Sequence, residues 1–391
     1  MTRWRDRIGA RLDAIRGADR WRSIRTLDGP MPEANLDGRP IVSFASNDYL
    51  GLARHPDVAE AAKTAIERWG TGSGASRLVV GGRPIHDELE AELADWKHTD
   101  AALLLPTGFA ANLAVLATLA DSPDVLVVSD ELNHASIIDG ARLSRGRVAV
   151  ARHADPGHVD ELLAGHDGPA LVVTDTVFSM DGDEAPIDAL ADVCGRHAAL
   201  LVVDEAHAVL GPRVHAPEVD LVRVGTLSKT LGSLGGFVAA DRDVVDLLVN
   251  AARPFIFTTA STPGDTAAAL AALRVVRSGE GQVLVERLRR HIDAVAPGHP
   301  SPIIPVILGD EAAALAAAAR LLEQGLLVPA IRPPTVAPGT SRLRVALSAA
   351  HTDEEVERLV QALAEHRDAA AGGPRRASGT GRRPALSPSD T

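Results

Sequence analysis

The sequence predicts an α/β protein: a mostly parallel central sheet with helices on both faces, followed by a smaller α+β unit. Two observations carry this. In the middle of the chain, short apolar runs alternate with helical stretches: VLVV (125–128), VAV (148–150), ALVVTD (170–175), ALLVVD (199–204) and LVRVG (221–225). Runs that are apolar throughout suit strands buried on both faces, as in parallel sheets. After about residue 280 the alternation stops. There PSPIIPVILGD, LLVPAIRPP and SRLRVALS read as strands, and EAAALAAAARLLEQG and DEEVERLVQALAEHRDAA as helices.

Taken in order, the chain divides into four expected parts. Residues 1–40 form a helix and arm, because Trp4, Ile8, Leu12 and Ile15 recur at helical spacing. Residues 41–280 form the large domain and 281–371 the small C-terminal domain. The last part, 372–391, is GGPRRASGTGRRPALSPSDT, too poor in apolar residues to bury anything, and is expected to be disordered. The arginine-rich N-terminus lacks the unbroken apolar stretch of a secretory signal.

Composition narrows the function. Of 391 residues, 46% are hydrophobic and only 3% aromatic, so the core must be built from Val, Leu, Ile and Ala. The net charge of −12 disfavours a general nucleic-acid or anionic-membrane binder. No run of about 18 apolar residues suggests a membrane span. The single cysteine, Cys194, excludes an intrachain disulfide framework, reads as a small core residue, and fits a reducing compartment. The expectation is a cytoplasmic protein with neither nucleic acid nor membrane as partner and with no metal.

One residue type stands out. The chain has 40 Lys+Arg but only three lysines, Lys63, Lys97 and Lys229. Lys63 and Lys97 lie in polar, helix-like stretches where either cation would serve. Lys229 lies in GTLSKTLG, among small residues just after a predicted strand. Arginine cannot act as an amine nucleophile. A lysine amine can lose its proton and form a Schiff base.

Other chemistry gathers at neighbouring strand ends. LLVVDEAHA places Asp204 at the end of a strand and His207 three residues on. Asp204 alone reads equally as a helix cap. TDTVFSMDG supplies Ser179, and VGTLSKTLG supplies Thr226 and Ser228 before Lys229. Carboxylate, histidine, hydroxyl and lysine together fit pyridoxal 5′-phosphate. The lysine would hold its aldehyde, Asp204 would pair with the pyridinium nitrogen, His207 would meet the phenolic oxygen, and Thr226 a phosphate oxygen. In LLLPTGFAAN an apolar run ends at a Thr-Gly turn and a helix begins near Phe109. Its free amides and positive dipole end suit a phosphate, with Gly108 allowing close approach. His134, after VLVVSD, could stack on a planar ring. GSGASRLVVGG neither follows a strand nor opens a βαβ unit, so it is a poor dinucleotide signal.

Beyond these local readings, the sequence resembles the α-oxoamine synthase family of fold-type I pyridoxal-phosphate enzymes. The residues that carry the resemblance are SNDYLGL (46–52), GSGASRLVVGG (72–82), TGFAAN (107–112), NHAS (133–136), VFSMDGDEAPI (177–187), VDEAH (203–207), TLSKTLG (226–232) and AIRPPTVAPGTSRLR (330–344). The resemblance implies that Lys229 carries the cofactor, Asp204 pairs with its ring nitrogen, and His207 lies near the ring oxygen. It places Gly108 and Phe109 at the phosphate, Ser179 and Thr226 against the cofactor, and His134 over the ring. Asn47 and Arg344 fall near the amino-acid carboxylate. Arg22, Arg332 and Thr335 fall at substrate positions, with Arg20 and Arg25 close to Arg22. It further implies a homodimer with shared sites, in which Thr259 reaches the neighbour's phosphate. Read alone, SRLRVALS alternates charges as a solvated strand would.

The implied reaction is a decarboxylative condensation of an amino acid with an acyl thioester. Within the family, AIRPPTV followed by GTSRLR and AAH resembles the members that use L-alanine, which implies L-alanine with a pimeloyl thioester, carried by CoA or acyl carrier protein. A sister activity such as glycine C-acetyltransferase is the alternative, and an aminotransferase of the same fold a more distant one. A non-catalytic scaffold is disfavoured by the joint presence of Lys229, Asp204 and His207. The chain departs from the family pattern in a short stretch between His207 and Lys229, where Ala208, Val209 and Leu210 replace a Gly-rich segment, and in a trimmed region at about 281–302.

Overall fold

Strands that are apolar along their whole length can pair side by side and be covered above and below. Here they form a seven-stranded sheet in the order Ala101–Leu105, Gly236–Ala240, Leu221–Thr226, Leu200–Asp204, Ala170–Asp175, Leu126–Asp130, Arg147–Ala151. The last five of these run parallel to one another. Gly236–Ala240 runs antiparallel to the strands on either side. The computed structural model describes residues 3–18 and 20–371, so the tail expected at 372–391 lies outside the described residues.

The expected run ALVVTD coincides with its strand. VLVV instead continues to Asp130, because Ser129 and Asp130 pair in register with Val150 and Ala151. The backbone ladder carries on into polar residues whose side chains are not needed by the core. GGFVAA, not read as a strand, is one, with every residue from Gly236 to Ala240 buried.

Alternate side chains along each strand serve opposite faces. Val127, Val173, Val202 and Val224 pack with helices Gly108–Leu119, Ala135–Leu143 and Arg242–Ala251. Val128, Val172, Leu201 and Val203 pack with helices Pro156–Ala164 and Ile187–His197, where Cys194 is a core residue as expected. At the other end of the sheet, Leu104, Phe237 and Ala239 join a larger core with helices Pro56–Trp69, Pro84–Lys97 and Pro263–Val276. That core continues into Ile292 of helix Gly279–Val295 and Val345 and Leu359 of the C-terminal part.

The C-terminal part holds an antiparallel sheet of Ile303–Gly309, Ser341–Ala346 and Ala330–Ile331, with helices Glu311–Glu323 and Asp353–Ala371. LLVPAIRPP is not one strand. Pro329 separates Ala330–Ile331 from Leu326–Leu327, and the latter pairs in parallel with Arg39–Ser43 in another sheet. That sheet also includes Leu27–Asp28 and Glu33–Leu36, which with Arg39–Ser43 make three N-terminal strands where an arm was expected. Asp37 and Gly38, both with positive φ (52° and 77°), form the two-residue turn between Glu33–Leu36 and Arg39–Ser43. The dipeptide Asp-Gly is the sequence signal for such a turn. The N-terminal helix Trp4–Gly17 is present but has no buried residue, and Trp4 is 76% exposed.

Candidate active site

The parallel strands deliver their carboxyl ends to one edge of the sheet, and so does Ala101–Leu105 through its antiparallel neighbour. Ligands of open α/β sheets bind at that edge. A cavity of about 220 Å³ opens there, lined by Gly108, Phe109, His134, Asp204, His207, Thr226 and Lys229 among the residues expected from sequence. Thr107, Ser136, Asp175, Ala206 and Ser228 complete it.

Asp204 is buried at the end of its strand. Its Oδ2 accepts from Asn112 Nδ2 at 2.7 Å and its Oδ1 from the Ala206 amide at 2.9 Å. Asn112 gives its second hydrogen to Ser136 Oγ at 2.8 Å, and Ser136 lies 2.7 Å from His134 Nδ1. The chain of donors runs from Asn112 both ways, to the carboxylate and to the histidine. Asn112 Oδ1 is left buried without a partner. Turning the amide round would set oxygen against carboxylate, so this orientation holds. Sequence reasoning missed Asn112, although it lies one helical turn beyond Gly108 on the face that points back at the strand ends.

Burial is the first cause lowering the Lys229 amine below its ordinary pKa; Asp204 and Asp175 pull against it. His207 is held well below the usual histidine range, first by burial and then by the charges of Lys229 and Arg344. It is therefore a neutral imidazole near pH 7, and its Nδ1 lies 2.6 Å from the hydroxyl of Tyr49. His134 is reached from the cavity, yet partial desolvation lowers it too. The Phe109 ring meets His134 edge-on at 6.5 Å.

At the phosphate-sized end, helix Gly108–Leu119 starts at Thr107, whose hydroxyl accepts from the Ala110 amide. The Gly108 and Phe109 amides fall outside the intrahelical ladder. Thr226 Oγ1 lies 2.8 Å from Ser228 Oγ. Gly236 must lack a side chain: a Cβ there would sit 2.4 Å from the Thr107 carbonyl oxygen and the Gly108 nitrogen.

Asn47 and Arg344 come together from opposite ends of the chain. Arg344 Nη2 donates to Asn47 Oδ1 at 3.2 Å and its Nε to the Ser179 carbonyl at 2.6 Å. The solvated reading of SRLRVALS does not hold: Arg342 and Arg344 are each 6% exposed. Their strand is the middle one of its sheet, and Arg342 pairs with Asp181. Ser179 meets Arg344 through its carbonyl and does not line the cavity.

Other expected residues lie elsewhere. Arg22 is exposed in the segment after the N-terminal helix. Arg332 and Thr335 sit in the turn after Ile331, where the Thr335 amide donates to the Arg332 carbonyl. Thr259 is exposed and lines a different small cavity with Arg77 and His86. Lys97 is no surface cation. It reaches buried Glu205 at 2.6 Å and stacks on the Trp96 ring at 3.8 Å.

The family model for aminotransferase class I and II matches residues 39–363. The chain belongs to that family. Among curated relatives in it, the 8-amino-7-oxononanoate synthase of Anaeromyxobacter dehalogenans is 48% identical over 398 residues, covering 95% of this chain and 98% of the relative. The synthase of the same name from Geobacter sulfurreducens is 45% identical, covering 91% and 97%. Among solved structures, the serine palmitoyltransferase of Sphingomonas wittichii superposes with a TM-score of 0.85 at 31% identity, covering 94% and 98%. A serine palmitoyltransferase with pyridoxal phosphate bound gives 0.85 at 29%, covering 93% and 97%. The 8-amino-7-oxononanoate synthase of Francisella tularensis gives 0.70 at 26%, covering 84% and 98%. The fold is that of the fold-type I pyridoxal-phosphate transferases, as the sequence led us to expect.

The residues present fit pyridoxal phosphate. A buried carboxylate with two donors on it still calls for a cationic partner, which a protonated pyridine supplies. A desolvated amine lies within the same cavity, and a helix N-terminus with adjacent hydroxyls lines its other end.

Proposed function

We propose that the chain catalyses the decarboxylative condensation of L-alanine with a pimeloyl thioester, on CoA or acyl carrier protein. The products are 8-amino-7-oxononanoate, CO2 and free thiol, a step of biotin biosynthesis. The observation that carries the reading is Lys229, Asp204 and His207 on one cavity, in a chain 48% identical over nearly its whole length to a synthase of that name.

Bound pyridoxal phosphate supplies an electron sink for charge that develops on the amino-acid α-carbon. Every other task falls to the chain. Lys229 holds the cofactor and then, as an amine of lowered pKa, takes the α-proton at Nζ. Asp204, fixed by Asn112, keeps the ring nitrogen protonated. Arg344 and Asn47 would grip the amino-acid carboxylate and so orient the amino acid. His134 would stack against the cofactor ring. The amides of Gly108 and Phe109 and the hydroxyls of Thr226 and Ser228 hold the phosphate.

The working unit is a homodimer in the cytoplasm. Supporting the dimer, Val79, Val80 and Phe257 are exposed apolar side chains on the segments at 77–81 and 253–257, which lie against each other. In the dimer Thr259, and Arg22, Arg332 and Thr335, would complete the substrate and phosphate sites.

The test is a product assay with L-alanine or glycine, each with pimeloyl-CoA or acetyl-CoA. Formation of the amino ketone from L-alanine and pimeloyl-CoA supports the reading. Preference for glycine with acetyl-CoA replaces it with the sister activity. Borohydride should fix the cofactor on Lys229, and Lys229→Arg should abolish turnover; label on Lys63 or Lys97 would refute the assignment.

A further inference from the structure

His153 lies in the loop after strand Arg147–Ala151 and lines no part of the cavity. Its ring is nonetheless held on both sides. Nδ1 is 3.0 Å from Asp130 Oδ1, at the end of strand Leu126–Asp130, and Nε2 is 2.8 Å from Asp183 Oδ2. Both Asp130 oxygens also accept backbone amides, from Leu132 and Ala154, each at 2.8 Å. The other Asp183 oxygen is buried without a partner. An ionised carboxylate only accepts, so a ring with one on each nitrogen carries both hydrogens and is an imidazolium. Burial pulls its pKa down, but Asp130 and Asp183 outweigh this and hold it above the ordinary histidine value. The other charged groups around it are Glu131, which accepts the His153 amide, and Arg152 and Asp155, which pair with each other. His158 Nδ1 accepts the Arg152 amide.

Asp183 belongs to a tight turn over residues 177–184. Val177 and Glu184 form a bridge across it, and the Phe178 amide donates to the Asp183 carbonyl at 2.9 Å. The Phe178 ring meets His153 edge-on at 4.4 Å. The far side of the turn meets the C-terminal sheet. There the Ser179 carbonyl accepts from Arg344 Nε at 2.6 Å, and Asp181 pairs with Arg342. Gly182 lies so close to that sheet that a Cβ on it would collide with the Ile303 carbonyl oxygen. The turn thus has two anchors, His153 on the large-domain side and two buried arginines on the other.

We propose that His153, as the imidazolium joining Asp130 to Asp183, is a positioning residue for the amino acid: it holds the turn whose Ser179 carbonyl aims the Arg344 guanidinium. The inference rests on the reading of Arg344 and Asn47 as the grip for the amino-acid carboxylate. With both ring nitrogens protonated, the strand end and the turn share one cation. When the ring loses a proton, one nitrogen becomes an acceptor facing a carboxylate, and the bridge opens on that side. The turn then loses its large-domain anchor, and Arg344 a fixed partner. Affinity for L-alanine falls while the cofactor's own contacts stay as they were. Amino-acid binding thus takes a pH dependence from a group that does not touch the amino acid.

The test uses the full chain loaded with pyridoxal phosphate and no acyl thioester. L-Alanine is titrated at pH 6 and pH 9, followed by the cofactor's visible band. His153→Gln keeps a hydrogen-bonding amide but cannot carry the charge. It should weaken L-alanine binding roughly fivefold at pH 6, the upper end for a partly exposed ion pair. At pH 9, where the wild-type ring has itself lost its proton, the loss should be much smaller. Asp183→Asn breaks the bridge from the other side and should do the same, and the two together should cost little more than either. If His153→Gln fails to fold, Asp183→Asn decides by the same comparison. Affinity for pyridoxal phosphate should be unchanged in both. A merely structural role would weaken both ligands alike at both pH values, and that result overturns the proposal, as does a loss at pH 6 no larger than at pH 9. Arg344→Ala separates this inference from the reading beneath it. If it weakens L-alanine binding while His153→Gln does not, the grip stands and His153 has no part in it. If it leaves L-alanine binding intact, the grip reading falls and the role of His153 with it.

Discussion

Asn112 holds Asp204 at 2.7 Å from the far side of the strand end, and in doing so leaves its own carbonyl oxygen unpaired. A structure that keeps such a group buried has a use for the donor. Removing it leaves Asp204 with a single donor in a buried setting. The loss of one hydrogen bond to a charged group costs roughly 1.5–3 kcal/mol. Asn112→Ala should therefore weaken pyridoxal phosphate binding about ten- to a hundredfold. Titration of the apoprotein, followed by the visible cofactor band, measures this. Unchanged affinity would mean that Asp204 is held by its surroundings without Asn112.

Asp175 pairs in register with Asp204 on the adjacent strand, and both line the cavity. Its carboxyl is raised well above the usual range, first by burial and then by Asp204. A carboxyl with a raised folded pKa keeps a proton that the unfolded chain has already released. Its contribution to stability therefore falls as pH rises above the unfolded value of about 3.9. Asp175→Asn keeps an acceptor for the His134 amide, which Oδ2 holds at 2.7 Å. The variant apoprotein should melt at a higher temperature than wild type at pH 8, with a smaller gain at pH 5. A gain that grows toward acid pH would contradict the assignment.

Lys97 and Lys63 make opposite predictions from the same kind of helix. Glu205 is buried between Lys97 and Arg223, at 2.6 Å from each. Burial pushes its carboxyl up, but the two cations outweigh this and hold it below the ordinary range. Removing one partner of a buried pair costs roughly 3 kcal/mol. Lys97→Met should destabilise by about that amount in urea, with little dependence on salt. Lys63 meets only exposed Glu60, and Lys63→Ala should cost under about 1 kcal/mol.

His351 is lowered to a pKa of about 4, chiefly by burial. In the neutral ring Nδ1 accepts from the Ser348 amide at 3.0 Å and Nε2 donates to the Ser43 carbonyl at 3.1 Å, tying the N-terminal hairpin to the C-terminal part. The unfolded histidine takes up its proton near pH 6.5, which the folded ring resists down to about 4. Stability should fall as pH drops through that window, and His351→Asn should flatten this part of the curve. Urea midpoints at pH 7, 6 and 5 for both proteins provide the comparison.

The sequence by itself determined the central sheet and its site-bearing ends. ALVVTD and LLVVD are apolar on both faces, a pattern that suits a covered sheet, and strands so covered present the residues at their ends at the sheet edge: Asp204 and His207 after LLVVD, and Lys229 after the neighbouring LVRVG. The Asp-Gly turn at 37–38 was equally legible in principle, since a two-residue loop demands positive φ. What the tertiary structure decided is whatever depends on partners distant in the chain. SRLRVA has the alternation of a solvated strand, yet Arg342 and Arg344 are buried because sheet pairing and the segments carrying Asp181, Ser179 and Asn47 enclose them. Lys97 looks like a surface cation until Glu205, more than a hundred residues away, is brought beneath it. Asn112 carries no local mark of use at all. Its role comes from a hydrogen bond to Asp204, 92 residues distant. Local propensity and periodicity report which face a residue shows; they contain nothing about which polar atom the fold will set against it.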